Sequence, residues 1–250
     1  TITTTGLISG GSLDIDNVLI NGTTIGHTDD TDLMTVANGL LTVAGEVSMT
    51  TLDIGGTNVT STATELNKLD GVGTLAQAGK QTIWVPATAM TPTVSNGCAS
   101  IATVETTAGR PDMQVLDFDA SSDEHAQFSI AFPKSWNLGT VTFQPYWTTT
   151  ATDTDGVAWV LQGVAVSDNE TMDVAYGTGI DSSDNAQGAA EEVCVGPESA
   201  AITIAGSPAD NDICYFRILR DVSQGGDNMA EDARLIGIKV FYTTDAANDA

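Results

Sequence analysis

Before Trp84 the chain has no aromatic residue and no proline; all 14 aromatics and all 7 prolines lie from that position onward. Aromatic side chains carry the largest buried area per residue. The first 83 residues therefore offer Thr, Gly, Asp, Ile, Leu and Val for strands and turns, but nothing large from which to build a core of their own. Basic residues are the second scarcity: 8 Lys and Arg stand against 33 Asp and Glu, a formal charge of −25. Nucleic-acid binding needs a basic footprint to neutralise phosphates, so that class of partner is excluded. Anionic membrane surfaces are disfavoured for the same reason. An acidic, lysine-poor surface stays hydrated and resists association, and a salty habitat would favour the same balance.

Cysteine is sparse and odd in number (Cys98, Cys194, Cys214), with no CxxC spacing. Neither a disulfide framework nor a zinc site follows from such a set, and Cys214 within Ile213-Cys214-Tyr215-Phe216 reads as a buried free thiol. No apolar run approaches membrane-spanning length, so no membrane insertion is expected. The opening Thr1-Ile2-Thr3-Thr4-Thr5 lacks the basic and apolar regions of a signal peptide; a processed N-terminus and a fragment start both fit it.

What the first 83 residues do contain is repetition. Ile20-Asn21-Gly22-Thr23-Thr24-Ile25 aligns with Ile54-Gly55-Gly56-Thr57-Asn58-Val59, and Thr31-Asp32-Leu33 with Thr64-Glu65-Leu66. Leu13-Asp14-Ile15 is a partial echo of Leu52-Asp53-Ile54. Repeats of this kind are supersecondary units that bury a face only against neighbours. β-branched residues favour strands here and Gly pairs favour tight turns, with Leu40 to Val47 a short strand turning at Gly45. A short helix near residues 62–70 is the exception, capped by Ser61 or Thr62 with Glu65 completing a capping box and Gly71 closing it. Three sister chains around an axis would cover the exposed apolar edge; a disordered linker is the competing reading.

The stretch Thr60-Ser61-Thr62-Ala63-Thr64-Glu65-Leu66-Asn67-Lys68-Leu69-Asp70-Gly71-Val72 resembles a segment recurrent in tail fibres and related virion proteins of tailed phages, marine ones especially. The resemblance implies a thin trimeric shaft joined to a C-terminal domain, located in the virion and assembled in the host cytoplasm, with other virion proteins as partners of the N-terminal region. The shaft is short beside that of long fibres, which leaves a spike, a fibre tip and a capsid appendage all open.

From Ile83 onward, alternation of period two recurs. Strands are expected at Ile101–Val104, Met113–Phe118, Ala126–Phe132, Val141–Trp147, Val157–Val166, Ala201–Ile204, Ile213–Leu219 and Leu235–Tyr242, with an edge or bulge at Pro145. Acidic loops are expected at Asp168-Asn169-Glu170 and Asp181 to Gly188. Eight strands in this length suit a jelly roll. The expected fold is thus all-β: a thin, repeat-containing β-rich trimeric stalk over 1–82 followed by a jelly-roll-like β-sandwich knob over 83–250.

Chemistry-bearing motifs are scarce. His27 and His125 are the two histidines and neither belongs to a nucleophile motif; GxSxG is absent. Gly225-Gly226-Asp227 is followed by acids that would repel phosphate. Asp117 with Asp119 and Asp153 with Asp155 are the carboxylate pairs a glycosidase could use, although turns are the ordinary place for such pairs in so acidic a chain. Asp153-Thr154-Asp155-Gly156 lacks the remaining ligands of a calcium loop and reads as an Asx turn. No catalytic residue, cofactor or metal site is expected. Arg217, Arg220 and Arg234 are read as ion-pair formers, Arg220 beside Asp221 and Arg234 after Glu231-Asp232. Of Trp84, Trp136, Trp147 and Trp159, Trp159 is core, and Trp136, in Pro133-Lys134-Ser135-Trp136-Asn137, is the candidate ligand contact. The functional expectation is a phage tail fibre or spike-like appendage that attaches to a host-surface glycan or receptor through its knob. A capsid decoration fibre with a structural role is the alternative; a polysaccharide-degrading spike and a bacterial adhesin stand behind it.

Overall fold

The computed structural model describes residues 18–27, 29–68, 70, 79–246, 248 and 249. These fall into two compact units that divide between Gly71 and Val72.

The first unit is a run of hairpins. Strands β1 (Val18–Asn21), β2 (Thr24–His27), β3 (Asp30–Ala37) and β4 (Leu40–Val43) form an antiparallel meander, and β5 (Leu52–Ile54) pairs with β6 (Thr57–Val59). Both aligned repeats are hairpins with two-residue turns, but they turn one residue apart. The first pairs Asn21 with Thr24 around Gly22-Thr23, and the second pairs Ile54 with Thr57 around Gly55-Gly56. Gly55 and Gly56 sit at φ +63° and +87°, the pair of positive values a type I′ turn requires. Downstream the repeat ends: Thr31-Asp32-Leu33 lies in β3, whereas Thr64-Glu65-Leu66 lies in helix α1 (Ala63–Asn67). The capping box makes the difference. The Thr62 hydroxyl accepts the Glu65 N–H at 3.3 Å, and the Glu65 carboxylate accepts the Thr62 N–H at 2.7 Å, so two orphan donors are satisfied at once. Those bonds hold the Glu65 carboxyl below its usual range. Leu69, Gly71 and the Leu13-Asp14-Ile15 echo lie outside the described residues.

No residue among 20, 22–25, 27, 29, 31, 33–68 and 70 is buried. Ile20, Val36, Leu40, Leu41, Val47, Met49, Leu52, Ile54 and Leu66 are all more than 40% exposed.

The second unit has a core. Its strands are β7 (Lys80–Pro86), β8 (Thr91–Pro92), β9 (Ala102–Glu105), β10 (Asp112–Phe118), β11 (Glu124–Ile130), β12 (Thr142–Thr149), β13 (Gly156–Val166), β14 (Ile180–Asn185), β15 (Cys194–Val195), β16 (Ile213–Arg220) and β17 (Ala233–Thr243). One sheet runs β15-β12-β17-β10-β9, with β7 also against β17; the other runs β14-β13-β16-β11-β8. Strands β10 to β17 trace a jelly roll within these two sheets. Every connection among them crosses from sheet to sheet except the β13–β14 hairpin, and the two orders 10-17-12-15 and 11-16-13-14 follow from that path. The all-β sandwich expected from alternation is present, with β9, β10, β11, β12, β13, β16 and β17 in the predicted windows. Three details differ. Ala201–Ile204 makes only an isolated bridge, Ile202 to Val141. Asp181 to Asn185, within the stretch read as a loop, pairs with β13 throughout; Asp181 faces outward, while Asp184 faces inward and accepts the Trp147 Nε1–H at 3.1 Å. The sandwich's first strand begins at Lys80, three residues ahead of the compositional boundary. Pro145 lies one residue before a register shift in β12, the bulge that a residue without an N–H favours.

Inward-facing Phe118, Phe143, Trp147, Trp159, Leu161, Phe216, Ile218 and Leu235 are fully buried between the sheets. Phe118 meets Trp159 edge to face at 5.1 Å, and Phe128 stacks on Phe216 at 5.2 Å. Among the described residues no helix is long and apolar enough to cross a membrane.

Candidate functional site

The outer face of the second sheet is where polar side chains converge. Pairing along β11, β16, β13 and β14 places outward residues in rows: His125, Leu219, Val160, Asp181; then Gln127, Arg217, Gln162; then Ser129, Tyr215, Val164. Val160, Val164 and Leu219 are buried although they face away from the core. Residues between β13 and β14 help cover them, and glycine makes the approach possible. A Cβ on Gly179 would lie 2.5 Å from Val160, and one on Gly177 would lie 2.9 Å from the Thr203 carbonyl. This explains why β13 reads as apolar on both faces.

Two adjoining hollows result. One, of about 340 Å³, is lined by Asp123, His125, Gln162, Asp181, Arg217 and Gln224 among others. The second, of about 240 Å³, has Gln127, Val164, Met172, Val174, Tyr176 and Tyr215. Arg217 joins them. Its Nε and Nη2 both donate to Gln162 Oε1, at 2.9 and 2.5 Å, and its guanidinium lies 5.0 Å over the Tyr176 ring. Burial pushes the Tyr176 hydroxyl above its ordinary pKa, with Arg217 opposing, so it remains a neutral donor. His125 Nδ1 sits 3.0 Å from the Asn96 carbonyl; a carbonyl can only accept, so Nδ1 carries the hydrogen and Nε2 is the ring nitrogen left for a ligand. Asp123 accepts the Val222 N–H at 3.1 Å, and Asp221 accepts the Ser223 N–H at 3.0 Å. Asp181 accepts no hydrogen bond from the described residues. Donors and acceptors thus stand side by side next to two tyrosines, a lining suited to hydroxyl groups, which need one of each.

Two of the three arginines read as ion-pair formers are so paired, Arg220 and Arg234. Arg217 has no carboxylate partner among the described residues. Arg220 is fully buried and pairs with Asp227 at 2.8 Å, not with neighbouring Asp221. Arg234 lies 3.6 Å from Asp117 and 4.0 Å from Glu191, not against Glu231 or Asp232. Arg234 meets Asp117 across the β10–β17 register, whereas Arg220 meets Asp227 where the β16–β17 connection folds back over it. Burial raises the Asp117 carboxyl above its usual range against the pull of Arg234.

Trp136, the candidate ligand contact, is 3% exposed. It packs on Phe132 at 4.3 Å and bridges to Thr244, so the residues from Pro133 to Asn137 turn it inward and it cannot serve as a surface platform. The exposed tryptophan is Trp84, at 45%. The carboxylate pairs separate into local roles: Asp119 caps Ser121, Asp117 faces Arg234, and Asp153 accepts the Asp155 N–H at 3.1 Å in the expected Asx turn. His27 sits beside Asp29 in the first unit and His125 in the second. No group of three metal-ligating side chains occurs among the described residues.

Cys98, Cys194 and Cys214 are free and buried, and desolvation pushes their thiols up to about 12, 11 and 12 respectively. A thiolate is the reactive form. In the native chain at pH 8 an aromatic disulfide reagent should therefore titrate fewer than one thiol in the time it titrates all three in denaturant. Rapid native labelling would contradict the burial.

No protein-family model matches the sequence, and no curated protein does. Solved structures with a similar fold include a family 35 carbohydrate-binding module from Clostridium thermocellum, at 9% identity over 64% of this chain and 97% of that one, TM-score 0.37. A family 11 carbohydrate-binding module from the same organism, in complex with a β-1,3-1,4-mixed-linked tetrasaccharide, matches at 8% identity over 66% of this chain and 96% of that one, TM-score 0.33. A protein of unknown function from Shewanella oneidensis matches at 15% identity over 76% and 97% of the two chains, TM-score 0.28. The sandwich is assigned from the strand order given above, and at these TM-scores the likeness adds nothing to it.

Proposed function

We propose that this chain is a virion appendage protein of a tailed phage, a homotrimer whose knob attaches to a neutral glycan on the host surface and performs no reaction there. The contrast between the two units is the observation that carries the reading. Nine large hydrophobics more than 40% exposed and no buried residue over 33–68 make the first unit a segment that needs sister chains. The second buries its own aromatics and has surface left for a ligand. The Arg217 cleft supplies that surface: mixed donors and acceptors for hydroxyls, and tyrosine rings for the apolar faces of a sugar. Three linked copies would turn weak single sites into durable attachment.

Binding is tested by isothermal titration of the full chain against neutral oligosaccharides from the host surface. Arg217→Ala should weaken the interaction by about tenfold or more, the scale of a lost charge-assisted hydrogen bond, with folding unchanged because Arg217 lies on an outer face. Equal affinity in wild type and variant removes the cleft from the proposal. Labelled antibody on intact particles then separates tail from capsid; label confined to the capsid, with no glycan binding, favours the decoration fibre.

A further inference from the structure

The opposite face of the sandwich carries a second site candidate, independent of the Arg217 cleft. Trp84 on β7 is 45% exposed, while Trp136, Trp147 and Trp159 are at 3%, 0% and 0%. Its placement is built rather than accidental. The ring lies over Gly237, where a Cβ would come within 2.7 and 2.8 Å of two ring carbons. It also meets Tyr146 edge to face at 5.2 Å and 88°. Tyr146 is held in turn: its hydroxyl donates to Gln144 Oε1 at 3.4 Å, and Gln144 Nε2 donates to the Gly196 carbonyl at 2.9 Å. Lys239 stands directly across from Trp84 in the β7–β17 register, with its ammonium 5.1 Å above the Tyr146 ring.

Charge on this face is distributed unevenly. Lys80 lies 4.6 Å over Phe241 and is paired with Glu198, whose carboxyl is held low by Lys80 and Thr142. Arg234 has Asp117 and Glu191. Lys239 has no carboxylate within salt-bridge reach among the described residues. An ammonium offers three donors, and among the described residues this one meets an aromatic face and no acceptor side chain. A ligand that laid a C–H face on the Trp84 indole and a carboxylate on Lys239 would complete both. Directly opposed side chains on neighbouring strands stand about 5 Å apart at Cβ, the width of one pyranose with its exocyclic carboxylate.

We infer that Trp84, Tyr146 and Lys239 form a binding site for an acidic saccharide, a uronic-acid-containing glycan. The site differs from the Arg217 cleft in its ligand chemistry, since three acids line that cleft and none lines this face unpaired among the described residues.

The test uses the full chain with tetrasaccharides of galacturonate and of mannuronate, beside their carboxyl-reduced neutral counterparts, followed by tryptophan fluorescence and titration calorimetry. Because the other three tryptophans are buried, quenching reports on Trp84. Saturable binding of at least one acidic probe is expected, at least tenfold tighter than its neutral counterpart. Trp84→Ala should abolish it, and Trp84→Phe should retain part of it. Lys239→Gln should erase the preference for the acidic probe, and Lys239→Arg should restore it. Absence of saturable binding by both acidic probes overturns the inference, as does unchanged affinity in Trp84→Ala. A Trp84→Ala chain that instead drops to a smaller species on sedimentation would show the face to be a contact between copies and would equally overturn it. Arg217→Ala serves as the separating control: it should leave acidic binding intact, whichever way the neutral-glycan experiment falls.

Discussion

Replacing Arg220 with alanine is expected to destabilise the sandwich by about 3–5 kcal/mol, the cost of breaking a buried ion pair from one side. Arg220 is 0% exposed, and every nitrogen of its guanidinium donates. Nε and Nη2 reach the two Asp227 oxygens at 2.9 and 2.8 Å; Nη2 also reaches the Met229 carbonyl at 2.6 Å. Nη1 reaches the Glu231 carbonyl at 2.8 Å and Phe118 at 3.3 Å. One side chain on β16 thereby fixes the connection from β16 to β17 and ties it to β10 of the opposing sheet. Alanine leaves Asp227, 3% exposed, as an uncompensated buried charge, and leaves three carbonyls without their donor. At roughly 2–4 °C per kcal/mol for a domain of this size, Tm should fall by about 10 °C. Guanidinium unfolding followed by the fluorescence of buried Trp147 and Trp159 measures the change. The double variant Arg220→Met, Asp227→Leu should recover much of the loss, because removing both charges also removes the desolvation cost. A single-variant loss below about 1 kcal/mol, the surface ion-pair range, would refute the role.

The same residue shows where sequence reading succeeds and where it stops. Alternation identified β11, β12, β16 and β17 because each has one face in the core and one outside, so period two is written into the chain. β13 was legible for a different reason: a continuous apolar run marks burial on both faces, and the residues lying over Val160 and Val164 supply the second cover. β14 was not legible. Ile180-Asp181-Ser182-Ser183-Asp184-Asn185 is polar on its outward side and buries only Ser182, whose hydroxyl finds the Pro197 carbonyl at 2.7 Å. A strand that satisfies its core face with a hydroxyl carries no hydrophobic signal. The capping box was legible because both partners lie within four residues.

The sites were the least legible part. Arg217 with Gln162 and Trp84 with Lys239 are pairs made by register, and register is set by the whole sheet; Arg220 with Asp227 depends on how the β16–β17 connection folds back. Trp136 was singled out for its polar neighbours, yet Phe132 packs on it, Tyr242 packs on Phe132 in turn, and Trp136 bridges to Thr244 at the far end of the chain. Trp84 carried the one available signal, its place at the very start of aromatic usage. That position marks it as the first residue able to build a core or a surface platform, and Gly237, beneath its ring, leaves the room for the platform.

On the proposed trimeric reading, substituting Leu41 and Ile54 together with aspartate should convert the full chain from trimer to monomer and weaken the proposed attachment to a glycan-bearing surface by about 10²–10⁴-fold, while leaving the affinity of a single knob for soluble glycan unchanged. Leu41 and Ile54 are 59% and 65% exposed. Fully covering one such side chain contributes about 1.5–3 kcal/mol, against an association cost of about 4–15 kcal/mol, so no single residue can hold three chains together. Nine exposed hydrophobics per chain can, and two buried carboxylates in each of three chains should then be enough to undo it, since an isolated buried charge costs far more than a methyl group returns. Sedimentation velocity at micromolar concentration reads the assembly, and surface retention against soluble-glycan titration reads the two affinities. The knob's tryptophan fluorescence should be identical in variant and wild type, because its core lies within one chain. A wild-type chain that sediments as a monomer would sink the three-fold stalk. A variant that stays trimeric would instead move the contact between copies to the sandwich, where the Trp84 face is the first place to look.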